Sequence, residues 1–191
     1  MAIENKLNPG EWVKKHGDYL YNFACSRVFK KELAEDLVQE TFLSALTAVK
    51  SFEGRSKERT WLTSILKNKI IDHFRKEIRT PNHQQIDEGY DSPFRDKKPF
   101  KGHWEKERVP IDWVPEGQKN LEQMDFAKAL DNCLEKLPAR YAAGFSLKVI
   151  EEIETKEICK ELDISSSNLW VILHRARVQL RECLESTFLD K

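Results

Sequence analysis

His174-Arg175-Ala176-Arg177 ends a run that starts at Glu157-Ile158-Cys159-Lys160-Glu161-Leu162, turns through Asp163-Ile164-Ser165 and resumes at Ser166-Ser167-Asn168-Leu169. Amide and guanidinium groups on a helix that follows a tight polar turn are equipped to hydrogen-bond base edges and phosphate oxygens. A second concentration lies at Phe52-Glu53-Gly54-Arg55-Ser56, followed by Arg59-Thr60-Trp61-Leu62 and then by Lys67, Asn68, Lys69 and Asp72. There a glycine-containing loop hands over to a helix with basic groups, an arrangement suited to holding an unstacked base while tracking a single-strand backbone. Covalent chemistry has no comparable footing. The sequence shows no nucleophile–base pair, phosphate loop or paired metal ligands at helical spacing, so a metal-dependent hydrolase built on His83, His103 and neighbouring carboxylates has no site. Cys25, Cys133, Cys159 and Cys183 lie far apart without a Cys-x-x-Cys pair, and their spacing to His83 or His103 does not suit zinc. They are expected to be buried free thiols of a reducing cytoplasm. No catalytic residue, metal or cofactor is expected.

Helices must position these groups, because the apolar residues recur at three and four and strand signals are nearly absent. Asn8-Pro9 reads as a cap and first-turn proline for a helix through about Phe29. Leu33, Leu37, Val38, Thr41, Phe42, Ala45, Leu46 and Val49 form the inward stripe of a second helix, which Phe52-Glu53-Gly54-Arg55-Ser56 ends. Trp61, Leu62, Ile65, Leu66, Ile70 and Phe74 face inward on a third, which places Trp61 in the core rather than as a wedge between bases.

Further on, Phe126, Leu130, Cys133, Leu134 and Leu137 mark a helix stopped by Pro138, and another runs from Ala139 to about Glu152. Then comes the helix-turn-helix. Thr155 is expected to cap its first helix, with Ile158 and Leu162 inward, and Ser165 or Ser166 its second. On the second helix Leu169, Leu173, Ala176, Leu180 and Leu184 form the core stripe. At about 100° per residue, Asn168, Val171 and Arg175 fall on the opposite face, with His174 and Arg181 beside them, and Trp170 lies at the edge.

The fold class is therefore all-α: two small helical domains joined by a long linker, the second containing the helix-turn-helix. The boundaries fall at 1–79, 80–118 and 119–191. In the linker Pro81, Pro93, Pro99, Pro110 and Pro115 are scattered with Gly89, Gly102 and Gly117, no period survives, and Tyr90, Phe94, Phe100, Trp104 and Trp113 are interleaved with charge. Formal net charge is zero over 191 residues. Arg55, Lys57, Arg59, Lys67, Lys69, Arg75, Lys76 and Arg79 nevertheless cluster apart from Glu32, Glu35, Asp36 and Glu40. Segregated signs suit one face for nucleic acid and another for a protein. With no secretory leader and no long apolar run, a cytoplasmic protein without membrane insertion is expected.

Ala34-Glu35-Asp36-Leu37-Val38-Gln39-Glu40-Thr41-Phe42 and Phe52-x-Gly54-Arg55-Ser56-x-x-Arg59-Thr60-Trp61-Leu62 resemble the promoter-melting domain of extracytoplasmic-function (ECF) sigma factors. These are bacterial subunits that give RNA polymerase its promoter specificity. Leu137-Pro138-x-Arg140, Phe145-x-Leu147, Glu151, Glu157-Ile158 and His174-Arg175-Ala176-Arg177 resemble the family's second domain. The resemblance implies that Asp36, Gln39 and Glu40 bind the clamp helices of the polymerase's largest subunit. It implies that Phe52, Gly54, Arg55 and Arg59 capture a base flipped from the minus-ten element, with Asn68 and Asp72 beside the melted strand. The second domain would dock on the polymerase flap and read the duplex minus-thirty-five element through Ser166, Ser167, Asn168, Val171, His174 and Arg175. Lys148 and Lys156 would contact phosphate there. An anti-sigma protein is the implied regulator, and the linker would thread toward the active-site and RNA-exit region. Two departures stand out. The run Asn168-Leu169-Trp170-Val171-Ile172 replaces the family's usual Thr-Val-Lys-Ser-Arg-like stretch, and the linker is longer than the family's. A stand-alone helix-turn-helix regulator is the alternative, but it needs neither the acidic helix nor the Phe52–Leu62 motif.

Overall fold

A computed structural model describes residues 7–79, 91–96, 101–110 and 119–189. A 3-10 turn at Pro9–Glu11 opens α1 (Trp12–Val28), which is followed by α2 (Lys31–Ala48), a 3-10 turn at Val49–Ser51 and α3 (Glu58–Arg79). Pro9 takes the first-turn place expected of it, but the Asn8 side chain makes no cap; its backbone N–H donates instead to Glu58 Oε1 at 2.9 Å. Leu62, Leu66, Ile70 and Phe74, spaced four apart, put one buried face of α3 against Leu20, Ala24 and Val28 of α1 and Ala34, Leu37 and Ala45 of α2. Buried Thr41 satisfies its hydroxyl by donating to the Leu37 carbonyl at 2.7 Å. Leu46 departs from the expected inward stripe: it is 51 % exposed, and Leu43 beside it is 64 % exposed.

The second bundle contains α4 (Lys119–Glu135), α5 (Ala139–Phe145), α6 (Thr155–Leu162) and α7 (Ser166–Leu184). After α5 the chain winds on as a wider π-type turn over Ser146–Ile150, so the helix expected to reach Glu152 changes pitch at Ser146. Thr155 is not the cap of α6: Glu154 holds that place, and no side chain caps it. Ser165 does cap α7, accepting from the Asn168 N–H at 3.2 Å. Asp163, in the left-handed region at φ 57°, makes the turn between the two. Leu169, Leu173, Ala176, Leu180 and Leu184 are buried as the periodicity requires, as is Ile172. At Gly144 α5 packs tightly on α7; a Cβ there would stand 2.5 Å from Ile172 Cγ2.

The cysteines depart further from expectation. Cys133 and Cys183 are not free thiols but a disulfide tying α4 to the end of α7, leaving Cys25 and Cys159 free. Their wide sequence separation gave no hint that the two ends would meet. The described part of the linker, which no period orders, has packing of its own. Pro93 is fully buried and Phe94 pairs antiparallel with Trp104, their rings 4.4 Å apart.

The bundles pack together. One buried cluster runs from Ile70 and Phe74 into Ala143, Leu147, Ile158 and Leu162. At its rim Glu151 accepts from Arg27 Nε and, at 2.7 Å, from Lys67 Nζ. Arg75 donates at 2.7 Å both to the Glu161 carbonyl and to its carboxylate.

Candidate nucleic-acid interface

The loop between α2 and α3 stands on an aromatic base. Phe52, half-buried, lies 5.0 Å from Trp61, which meets Trp12 edge-on at 6.0 Å. Trp61 is thus a packing residue. Above it Gly54 adopts φ +70° with open space around its Cα, and Glu53 and Arg55 pair at 2.6 Å in full view of solvent. Glu58 pins the start of α3: it accepts from the Asn8 N–H, from Trp12 Nε1 and from His16. Partial burial pushes its carboxyl pKa up, but those hydrogen bonds outweigh it and hold the pKa below its ordinary value. The loop is therefore exposed at its tip and rigid at both feet.

Arg59 is exposed and lies 4.9 Å over the ring of Tyr19, itself 42 % exposed. Together with Thr60, Thr63, Ser64 and Lys67 they line a shallow cavity. Sequence reasoning missed Tyr19; the signal was an aromatic pair, Tyr19 and Phe23, at i and i+4. Asn68 and Asp72 are exposed along α3, and Asp72 accepts from Arg75 at 2.7 Å. On α2, Asp36, Gln39 and Glu40 are exposed, with Glu40 3.2 Å from Lys69. Leu43 and Leu46 continue the same strip, so α2 shows solvent an acidic stretch with an apolar end.

On the second bundle the site residues divide. Ser166, Ser167 and Val171 are exposed at the start of α7, as is Trp170 at 54 %. Asn168 is turned partly inward, its Oδ1 accepting from Arg140 at 2.7 Å. Arg175 is half-buried, with Nη1 3.4 Å from the Tyr141 hydroxyl. Lys148 donates to the Ile153 carbonyl at 3.2 Å, whereas Lys156 is exposed. His174 stacks on Phe94 of the linker, ring centres 5.6 Å apart. Among the described residues, the first-bundle site residues and those of α7 each lie on their own bundle.

Sequence comparison gives these surfaces a family. The sigma-70 region 2 model matches residues 12–80, and the sigma-70 region 4 model matches residues 127–180. A probable RNA polymerase sigma factor of Haemophilus influenzae (strain ATCC 51907 / DSM 11121 / KW20 / Rd) is 39% identical over 166 residues, covering 86% of this chain and 84% of that one. The ECF RNA polymerase sigma factor SigX of Bacillus subtilis (strain 168) is 32% identical over 168 residues, covering 87% and 78%. Among solved structures, the sigma factor RpoE in complex with the anti-sigma factor NepR from Bartonella quintana is 25% identical, covering 92% of this chain and 96% of that one at a TM-score of 0.40. The chain belongs to the ECF group of RNA polymerase sigma factors, transcription initiation factors that direct polymerase to promoters. A stand-alone regulator is not favoured, since the region 2 match accounts for the first bundle. No helix among the described residues is long and apolar enough to cross a membrane.

Proposed function

We propose that the chain works in the bacterial cytoplasm as three parts, 1–79 for the melted minus-ten strand, 80–118 as linker and 119–191 for the minus-thirty-five duplex, with no bond-making chemistry of its own. The observation that carries this reading is the loop at Gly54. It is exposed, its backbone is open to close approach, and its feet are fixed by the Phe52–Trp61 contact and by Glu58. A rigid exposed loop beside Arg59 and Tyr19 can receive an extruded base at little ordering cost, and stacking on such a platform stabilises the open strand by about 1–3 kcal/mol per base. Arg55 and Arg59 then neutralise backbone phosphates, and Asn68 and Asp72 line the path along α3.

The exposed strip Asp36, Gln39, Glu40, Leu43 and Leu46 is the polymerase-docking face, where carboxylates steer the encounter and the leucines are covered on binding. On α7, Ser166, Ser167, Val171, His174 and Arg175 read the upstream duplex, with Val171 suited to a thymine methyl. Lys148 and Lys156 add phosphate contacts. Family membership also brings an expected antagonist, an anti-sigma protein engaging both bundles.

Transcription in vitro tests the reading. The protein is added to sigma-free core polymerase with genomic fragments as template, and melted thymines are mapped with permanganate. The expected result is a set of discrete starts with a bubble, abolished by deleting Phe52–Arg59. Tight duplex binding without core, and no bubble with it, would refute the assignment.

A further inference from the structure

The outward face of α7 is already occupied along its later turns, from His174 to Glu182. At about 100° per residue, Val171, His174, Val178, Arg181 and Glu182 lie on the side opposite Leu169, Leu173, Ala176 and Leu180. Solvent should reach that side along its whole length, as it reaches Val171. Yet Val178 is only 6 % exposed while belonging to neither buried cluster of the bundle. The linker packs on this same side of α7. Two linker arms, residues 91–96 and 101–108, are tied together by hydrogen bonds of 2.8 Å: Arg95 N–H to the His103 carbonyl, Gly102 N–H to the Arg95 carbonyl, and Glu105 N–H to the Pro93 carbonyl. Three contacts seat this unit on α7. Phe94 stacks on His174, the Arg181 guanidinium lies 4.3 Å over the Trp104 ring, and Arg108 grips both Glu182 carboxylate oxygens at 2.8 and 2.9 Å. Arg108 also reaches back to Asp91 at 2.8 Å, so one guanidinium locks the two arms and the helix together. Bidentate arginine–carboxylate pairing of this kind fixes orientation as well as adding energy.

We propose that linker residues 91–96 and 101–108 act as an intramolecular competitor of promoter DNA for α7. The inference rests on the reading of α7 as the duplex-reading helix. His174 cannot stack on Phe94 and face a DNA groove at once, and the aromatic pair adds bulk along the side of α7 that must enter the major groove. While the unit is seated the second bundle binds duplex weakly. Drawing the linker away, as docking on polymerase would do, exposes the helix. DNA and linker then oppose each other through one two-state element, as linked equilibria require.

The test uses the full chain and a short duplex carrying the upstream element of a promoter mapped by transcription with core polymerase. Affinity is read by fluorescence anisotropy for the wild type, Arg108→Glu, the paired Phe94→Ala/Trp104→Ala variant, and the charge swap Arg108→Glu/Glu182→Arg. Both disruptive variants should bind about 10-fold tighter, within the usual range for coupled sites, and the swap should return toward the wild-type value. Tighter binding by Arg108→Glu is a sharp outcome, because replacing a cation by an anion otherwise weakens DNA binding. Unchanged or weaker binding by both disruptive variants overturns the proposal. The assignment of α7 to duplex DNA fails separately, by showing no upstream-dependent transcription for the wild type.

Discussion

Asn168 illustrates how one side chain can be claimed by two partners. Helical phase puts it toward DNA, where its amide matches an adenine edge. In the folded chain its oxygen accepts from Arg140, whose residue is only 9 % exposed. A buried guanidinium deprived of an acceptor costs about 1–3 kcal/mol or more. Asn168→Ala should therefore lower stability by about that much in urea unfolding, in addition to any effect on promoters. Val171→Ala, with no such internal contact to lose, should shift promoter choice with stability unchanged. Equal stability of the two variants would show that the Arg140 contact contributes nothing. The phase of Asn168 was legible in the sequence and its partner was not, because Arg140 lies 28 residues away and only the tertiary fold brings it near. Gly54 was legible in kind: a loop between two apolar stripes, and the structure gives it the positive φ that disfavours a side chain.

At the scale of elements, the helices on their apolar stripes were readable because each stripe repeats at three and four, and Leu62, Leu66, Ile70 and Phe74 all point inward as that period demands. Leu46 was misread for a physical reason: it follows the stripe in spacing but sits at its margin, where α2 offers solvent rather than a neighbour. The linker unit was beyond reach because it is ordered by a few cross-arm hydrogen bonds and by its contacts with α7, not by any period of its own. Two predictions belong here. Gly144→Ala would place a methyl 2.5 Å from Ile172 Cγ2, so either Ile172 must change rotamer or α5 and α7 must separate, and the overpacking should cost about 1–3 kcal/mol in thermal or chemical unfolding. A variant as stable as the wild type would mean that Ile172 can turn aside freely. The Cys133–Cys183 bond closes a loop of separation 50, and by restricting the unfolded chain it should add about 2–4 kcal/mol. Urea midpoints with and without dithiothreitol measure this. The effect should vanish in Cys133→Ser, whereas an unchanged midpoint on reduction of the wild type would contradict it.

The whole molecule is held closed by the contact between its bundles, and that closure bears on function. Lys67 and Arg75, on the helix proposed to line the melted strand, spend their charge on Glu151 and Glu161 of the second bundle. Exposed ion pairs contribute only about 0–1 kcal/mol, but the Glu151 side chain is 14% exposed and serves Arg27 and Lys67 together. Burial pushes the Glu151 pKa up, yet the Lys67 and Arg27 contacts outweigh it and the pKa is held below its ordinary value. The sign of the pH effect follows. A carboxylate whose folded pKa is depressed contributes its stabilisation above the unfolded value, about 4.3, and loses it as pH falls through the lower folded value. Closure through Glu151 should thus be constant between about pH 5 and 7 and weaken only below about pH 4. Glu151→Gln removes the charge at every pH and leaves Arg27 partly buried without its anion. Small-angle scattering should then show a larger radius of gyration for the variant than for the wild type at pH 7, with the two curves converging as the wild-type carboxylate protonates. Equal radii at pH 7 would assign closure to the apolar contact of Ile70 and Phe74 with Leu147 and Ile158 together with the Arg75–Glu161 pair, and the Glu151 contacts of Arg27 and Lys67 would then play no part in holding the bundles together.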